Sequence, residues 1–155
     1  GATYLPGSLR GDIYYLNPGT RMLPDFNSMT PVGSIYTRSL NVPNQSFTRG
    51  FPGVTARFEW FGIRYTGSFQ VEMAGEYQFR CFSDDGSKLW VNGQLLINND
   101  GVHPARSGVG SIFLNPGIHQ IQLDYFQGPR VMVALQLFFT PPGGQERIFE
   151  FGQPR

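Results

Sequence analysis

From residue 57 onward apolar and polar positions alternate with a period of two, the pattern of strands that bury one face. The run Phe58-Glu59-Trp60-Phe61-Gly62-Ile63-Arg64-Tyr65 leads into a segment where Phe69, Val71 and Met73 alternate with Ser68, Gln70 and Glu72. Gly75 turns the chain into a predicted strand over residues 77–82. Asn92-Gly93, between Leu89-Trp90-Val91 and Gln94-Leu95-Leu96-Ile97, predicts a hairpin, because both central residues of that turn need positive φ. A polar loop is predicted over residues 98–110, then a strand over 111–114, a turn at Asn115-Pro116-Gly117 and a strand over 118–126. In that last strand Ile121, Leu123 and Tyr125 face away from Gln120, Gln122 and Asp124. Gln127-Gly128-Pro129 breaks it. Val131, Val133, Leu135, Leu137 and Phe139 line one face of a final long strand, and the tail adds an extended piece over 148–151.

The first third is less regular. A strand over residues 11–16 stops at Asn17-Pro18-Gly19, a strong turn signal. Another is predicted over 34–40, while Leu23-Pro24-Asp25-Phe26 and Val42-Pro43-Asn44 read as loop. This region is expected to wrap the edges of the fold and supply one or two strands. Short strands recurring every 8 to 12 residues or so predict an all-β, antiparallel β-sandwich with a loop-rich N-terminal segment and almost no helix.

At 155 residues the chain makes one domain with one full core. Its 20 glycines, 12 prolines, 14 phenylalanines and 7 tyrosines suit many short strands joined by turns. A formal net charge of +1 provides no basic field to draw nucleic acid or an anionic membrane. Lys88 is the one lysine, and the arginines are scattered rather than clustered. No stretch approaches the ~20 apolar residues that cross a bilayer as a helix. The single cysteine, Cys81, excludes an intramolecular disulfide and a cysteine metal cluster. Sharing a face with Tyr77 and Phe79, it reads as a buried, inert thiol. The chain reads as one domain over residues 1–155, excised from a larger surface protein.

Catalytic patterns are missing. There is no Gly-x-Ser-x-Gly and no His-Glu-x-x-His. Glycoside hydrolysis uses two opposed carboxyls about 5 to 9.5 Å apart, whereas Asp84 and Asp85 are neighbours and Glu59, Glu72 and Glu76 lie on strands without an evident partner. No catalysis is expected from this domain alone. The chemistry concentrates instead at Ser83-Asp84-Asp85-Gly86-Ser87, where two adjacent carboxylates and a glycine separate two strand-like segments. One reading is a solvated Asp-Gly turn with no metal. The other is a cation site. His103, beside Pro104, and His119, within a strand, read first as structural, and Trp60 and Trp90 as interior packing. Tyr4, Tyr14, Tyr15 and Phe26 are candidates for a ligand rim.

Arg64-Tyr65-Thr66-Gly67-Ser68-Phe69, then Gly75-Glu76-Tyr77-Gln78-Phe79, then residues 83–93, then Asn98-Asn99-Asp100-Gly101-Val102-His103 follow one another in a telling order. Their succession strongly resembles the protective-antigen fourteen-kilodalton (PA14) domain, with a core match over residues 57–144 and a looser one at residues 11–15 and 23–26. The resemblance implies a β-sandwich of the kind found in bacterial adhesins, glycosidases, toxins and fungal flocculins. Several members are lectins in which two aspartates joined by a cis peptide hold Ca²⁺, and sugar hydroxyls complete its shell. By that resemblance Asp84 and Asp85 are metal ligands, and Gln127 with Gly128 is the second metal-binding loop. Asn99, Asp100, His103 and Arg130 are the ligand-binding candidates. Calcium suits the pair because it takes six to eight oxygen ligands at roughly 2.3 to 2.6 Å. The expected function is a non-catalytic, lectin-like module of a secreted or cell-surface protein, monomeric within its parent, binding glycan through Ca²⁺ and neither nucleic acid nor membrane. The alternative is a structural or protein-interaction module that binds no sugar.

Overall fold

The computed structural model describes residues 7–46, 51–54 and 57–151; Tyr4 lies outside them. Within these, the period-two pattern becomes eleven strands: β1 (Leu9–Tyr15), β2 (Gly33–Thr37), β3 (Asn41–Ser46), β4 (Phe61–Val71), β5 (Gly75–Asp84), β6 (Ser87–Val91), β7 (Gln94–Asn99), β8 (Arg106–Leu114), β9 (Gly117–Gln127), β10 (Met132–Thr140) and β11 (Arg147–Ile148). They form two antiparallel sheets. One has six strands in the order β2-β1-β4-β9-β6-β7; the other runs β11-β10-β5-β8, with β3 also on β10. The only helical element among the described residues is a 3-10 turn at Phe26–Ser28, capped by Asp25, so no helix there is long and apolar enough to cross a membrane.

The inward positions of both sheets fill the space between them. Ile63, Tyr65 and Phe69 of β4, Leu123 and Tyr125 of β9, Phe79 and Cys81 of β5, and Leu135 and Leu137 of β10 belong to one buried cluster. Phe149, just after β11, joins it edge-on to Phe69 and Phe139, each with ring centroids 5.2 Å away. A smaller cluster of Tyr14, Leu16, Phe26 and Phe126 lies on the outer face of the six-stranded sheet. There Phe26 stacks on Tyr14 with centroids 4.5 Å apart, so the loop after β1 covers that end of the sheet.

Several expectations are corrected. The first third supplies three strands rather than one or two, since Val42-Pro43-Asn44 lies inside β3. Its register on β10 shifts between Val133 and Leu135, a bulge that accommodates a proline unable to donate to the ladder. The residues at 38–40 are not in a strand; β2 ends at Thr37. Trp60 is not in a strand either. It has φ 57, and β4 starts one residue later. Trp90 lies in β6 but is only partly buried, on the outward side. The polar loop is confined to residues 100–105, because β8 already begins at Arg106, and Val131 is exposed ahead of β10. The Asn92-Gly93 hairpin is as predicted, with φ 51 and 79.

Candidate functional site

Asp84 is the last residue of β5 in one sheet and Ser87 the first of β6 in the other. The two carboxylates therefore sit where the chain crosses between sheets, not at a hairpin tip. The same end of the sandwich gathers the close of β7 at Asn99, the start of β8 at Arg106, the close of β9 at Gln127 and the start of β10 at Met132. A solvated turn is not what forms here: Ser83 and Ser87 are fully buried. Their hydroxyls lie 2.7 Å apart, and Ser87 Oγ lies 3.3 Å from the Cys81 thiol. Phe126 brackets the crossover, its carbonyl accepting from the Asp85 amide at 3.2 Å and its amide donating to the Gly86 carbonyl at 3.0 Å.

The peptide between Asp84 and Asp85 is cis, and the two carboxyl groups face each other. Asp85 is fixed from two sides: its Oδ2 accepts from the Gly128 amide at 2.6 Å and its Oδ1 from the His103 amide at 3.2 Å. Asp84 is held through its backbone, whose carbonyl accepts from the Tyr125 hydroxyl at 2.8 Å. Burial, then the charge of Asp85 and the hydrogen bond with it, push Asp84 up to about 7. Burial also raises Asp85, against the lowering effect of the two amides. No salt bridge reaches the pair: the ion pairs among the described residues join Arg10 to Asp12, Arg64 to Asp124, Arg80 to Glu146 and Lys88 to Asp100, and of the basic side chains the His103 ring acts on Asp85, lowering it from a distance. Two carboxylates only 8 % and 4 % exposed thus share a site without a salt-bridge partner, where a cation would offset the charge they cannot share with solvent.

The loop after β9 is brought against this pair. Gly128 does so through its amide, while its carbonyl accepts from the Trp60 amide at 3.2 Å. Gln127 is fully buried. Its Nε2 donates to the carbonyls of Pro129 and Met132 at 3.2 and 3.0 Å, and its Oε1 accepts from Tyr125 at 3.3 Å. As placed, Gln127 clamps the loop. Arg130 is exposed, with its amide donating to Glu59 Oε2 at 2.8 Å.

The predicted rim residues Asn99, His103 and Asp100 are engaged, as placed, in hydrogen bonds within the loops. Asn99 Nδ2 donates to Ser83 Oγ at 3.2 Å and to the Arg106 carbonyl at 3.0 Å, while its Oδ1 accepts from Arg106 Nε at 2.9 Å. Both ring nitrogens of His103 face carbonyl oxygens, of Pro104 at 2.7 Å and of Asn99 at 2.8 Å. Asp100 Oδ1 accepts from the amides of Leu23 at 2.9 Å and Gly101 at 2.7 Å. Its Oδ2 is buried without a hydrogen bond, 3.9 Å from Lys88 Nζ. These three side chains are struts that hold the loops around the carboxylates. A polar residue in a loop reads the same in sequence whether it meets solvent or ties down backbone.

What the sequence pattern did not reveal is a recess of about 350 Å³ lined by Gly19, Thr20, Arg21, Trp60, Val102 and Pro129. It adjoins the pair through the chain: Val102 precedes His103, Pro129 follows Gly128, and the Trp60 amide bonds Gly128. Trp60 falls in an apolar run and so resembles core; only its left-handed backbone turns it to this recess. Of the aromatic rim candidates, Tyr14 and Phe26 are buried in the outer cluster, and Tyr15 carries the Arg57 guanidinium 4.1 Å above its ring.

The donors at this end are oxygens, which suits a hard divalent cation better than zinc. No cluster of three or more His, Cys, Asp or Glu side chains able to hold a metal occurs among the described residues. Asp84 and Asp85 would be the anionic ligands, and amide, carbonyl and water oxygens the rest.

Comparison with known proteins gives this geometry a setting. The family model described as the PA14 domain matches residues 32–152. Anti-sigma-I factor RsgI3 of Acetivibrio thermocellus is 29% identical over 105 residues, which is 67% of this chain but 16% of that relative. The fold resembles that of a PA14 sugar-binding domain from an RTX adhesin, with a TM-score of 0.75, 22% identity and coverage of 94% of this chain and 96% of that one. It also resembles the Epithelial Adhesin 9 A domain of Candida glabrata, solved in complex with Galb1-3GlcNAc, with a TM-score of 0.65, 13% identity and coverage of 92% and 86%.

Proposed function

This chain belongs to the PA14 domain family, and we propose that it is a non-catalytic carbohydrate-binding module of a secreted or cell-surface protein, in which Asp84 and Asp85 hold a calcium ion. The observation that carries this reading is the buried carboxylate pair with no salt-bridge partner among the described residues. Calcium supplies the missing positive charge, and the coordination positions it leaves to water can be taken by neighbouring hydroxyls of a sugar.

The chain's own residues do the positioning. Two amide donors fix the orientation of Asp85, and Asp84, with no such donor on its carboxylate, is the ligand free to adjust. Gln127 and Gly128 lie in the loop pinned to Asp85 and are the next source of oxygen donors. Beside them the recess under Trp60 offers an apolar wall to the C–H face of a sugar ring, with Arg21 at its edge. The likeness to a sugar-binding domain and to an adhesin domain supports the reading. Catalysis is not part of it: the two carboxyls share one small site instead of flanking a bond.

A second reading, a structural or protein-interaction module without sugar, is favoured by the similarity to an anti-sigma factor. A glycan array probed with the protein in calcium and in EDTA separates the two. The proposed function predicts weak, calcium-dependent signals that strengthen when copies are displayed multivalently. Silence in both conditions, or signals that ignore the chelator, would overturn it.

A further inference from the structure

We propose that the open part of the outer face of the six-stranded sheet is a second, calcium-independent groove for neutral oligosaccharides. The loop after β1 covers only the end of this face that carries Tyr14 and Phe126. Toward the Asn92-Gly93 hairpin the face is bare, and a groove of about 410 Å³ runs across β4, β9 and β6. Its floor is one cross-strand row, Thr66 opposite Gln122 and Gln122 opposite Trp90, with Gln120, Arg64 and Asn27 beside it. None of these residues lines the recess next to the paired carboxylates.

Trp90 is the informative residue. It sits at an outward position of a strand, partly buried, where the core needs nothing from it. Neither its indole N–H nor its ring has a partner among the described residues. The Thr66 hydroxyl and the Gln120 side-chain amide are likewise unpaired there, and Gln122 makes a single long bond, at 3.5 Å to Asp124. A tryptophan left in a groove beside unused amides and a hydroxyl offers a flat apolar surface ringed by donors and acceptors. This matches a pyranose, whose ring presents C–H groups on its faces and hydroxyls around its edge.

Charge decides against other occupants. Arg64 is the charged residue of the lining, and its Nε and Nη2 go to the two oxygens of Asp124 at 2.9 and 3.0 Å while Nη1 meets Asn27. The groove is therefore electrically closed, which disfavours phosphate-bearing ligands and favours a neutral one. The strands of the floor are paired on both sides, so no free backbone edge exists for a peptide to add to.

The test uses the chain in EDTA, which removes any contribution from the carboxylate end. Cellohexaose, laminarihexaose and mannohexaose are titrated in turn while the two indole N–H resonances are followed by NMR, with Trp90→Phe assigning the one from Trp90. At least one glycan is expected to shift the Trp90 signal saturably with a roughly millimolar Kd. Gln120→Ala combined with Gln122→Ala, substitutions on the outward face, should weaken that binding about tenfold with the amide spectrum otherwise retained. The proposal is overturned if none of the three moves the Trp90 resonance, if the shift needs calcium, or if the double variant binds as the parent does.

Discussion

Adjacent and chemically identical, Asp84 and Asp85 do different work. Asp85 accepts from two buried amides, those of Gly128 and His103, so Asp85→Ala leaves both without an acceptor at about 1 to 3 kcal/mol each. Asp84 has no such donors, and Asp84→Asn removes one of two facing buried charges. In EDTA, calorimetry should find the midpoint of Asp85→Ala well below the parent's and that of Asp84→Asn unchanged or higher. Cys81 gives a second prediction at this scale. Burial pushes its thiol up to about 11, opposed by the hydrogen bond shared with Ser87 and by the charge of Arg80. A raised thiol pKa means less thiolate at any pH below it, so native protein at about pH 8.5 should resist iodoacetamide, and only unfolded chain should react. The acidic pair and the inert thiol were legible because each is a matter of residue type and spacing. The partners of Asp85 were not, since a backbone amide has no letter in a sequence.

Among the elements, the crossover from β5 to β6 is where reading the sequence and seeing the structure diverge most. Ser83, Asp84, Asp85, Gly86 and Ser87 have the composition of an exposed turn, yet the flanking serines are buried and bonded to each other. Gly86 is required by contact. A Cβ there would lie 2.6 Å from Phe126 Cε1 and 2.7 Å from both Asp100 Oδ1 and the Gly101 amide. Gly86→Ala should therefore cost about 1 to 3 kcal/mol through overpacking, read as a lower denaturation midpoint with the spectrum of a β-protein retained. β8 was foreshortened for a related reason: Arg106, Ser107, Gly108 and Gly110 look like loop, but the glycines leave room for β7, whose Leu96 carbonyl oxygen would be 2.3 Å from a Cβ at residue 110. Strands with alternating large apolar residues, β4, β9 and β10, were legible almost to their ends.

For the molecule as a whole, the arrangement of strands and the family were written in the succession of motifs along residues 57–144, because short strands with turn signals between them admit few packings other than a sandwich. Which loops meet at one end was not, since that depends on pairings between residues far apart in sequence, such as the amide of Gly128 with Asp85. The two sheets bring every loop of the candidate site to the end where β5 crosses to β6, and the account depends on that end binding a divalent cation. Calorimetry of EDTA-stripped protein titrated with calcium tests this most directly, since a ligand that binds only the folded state raises the midpoint as its free concentration climbs past Kd. The parent chain is expected to show that rise and Asp84→Asn to stay flat. A parent midpoint indifferent to calcium up to about 10 mM, or an Asp84→Asn variant that responds as the parent does, would contradict the account.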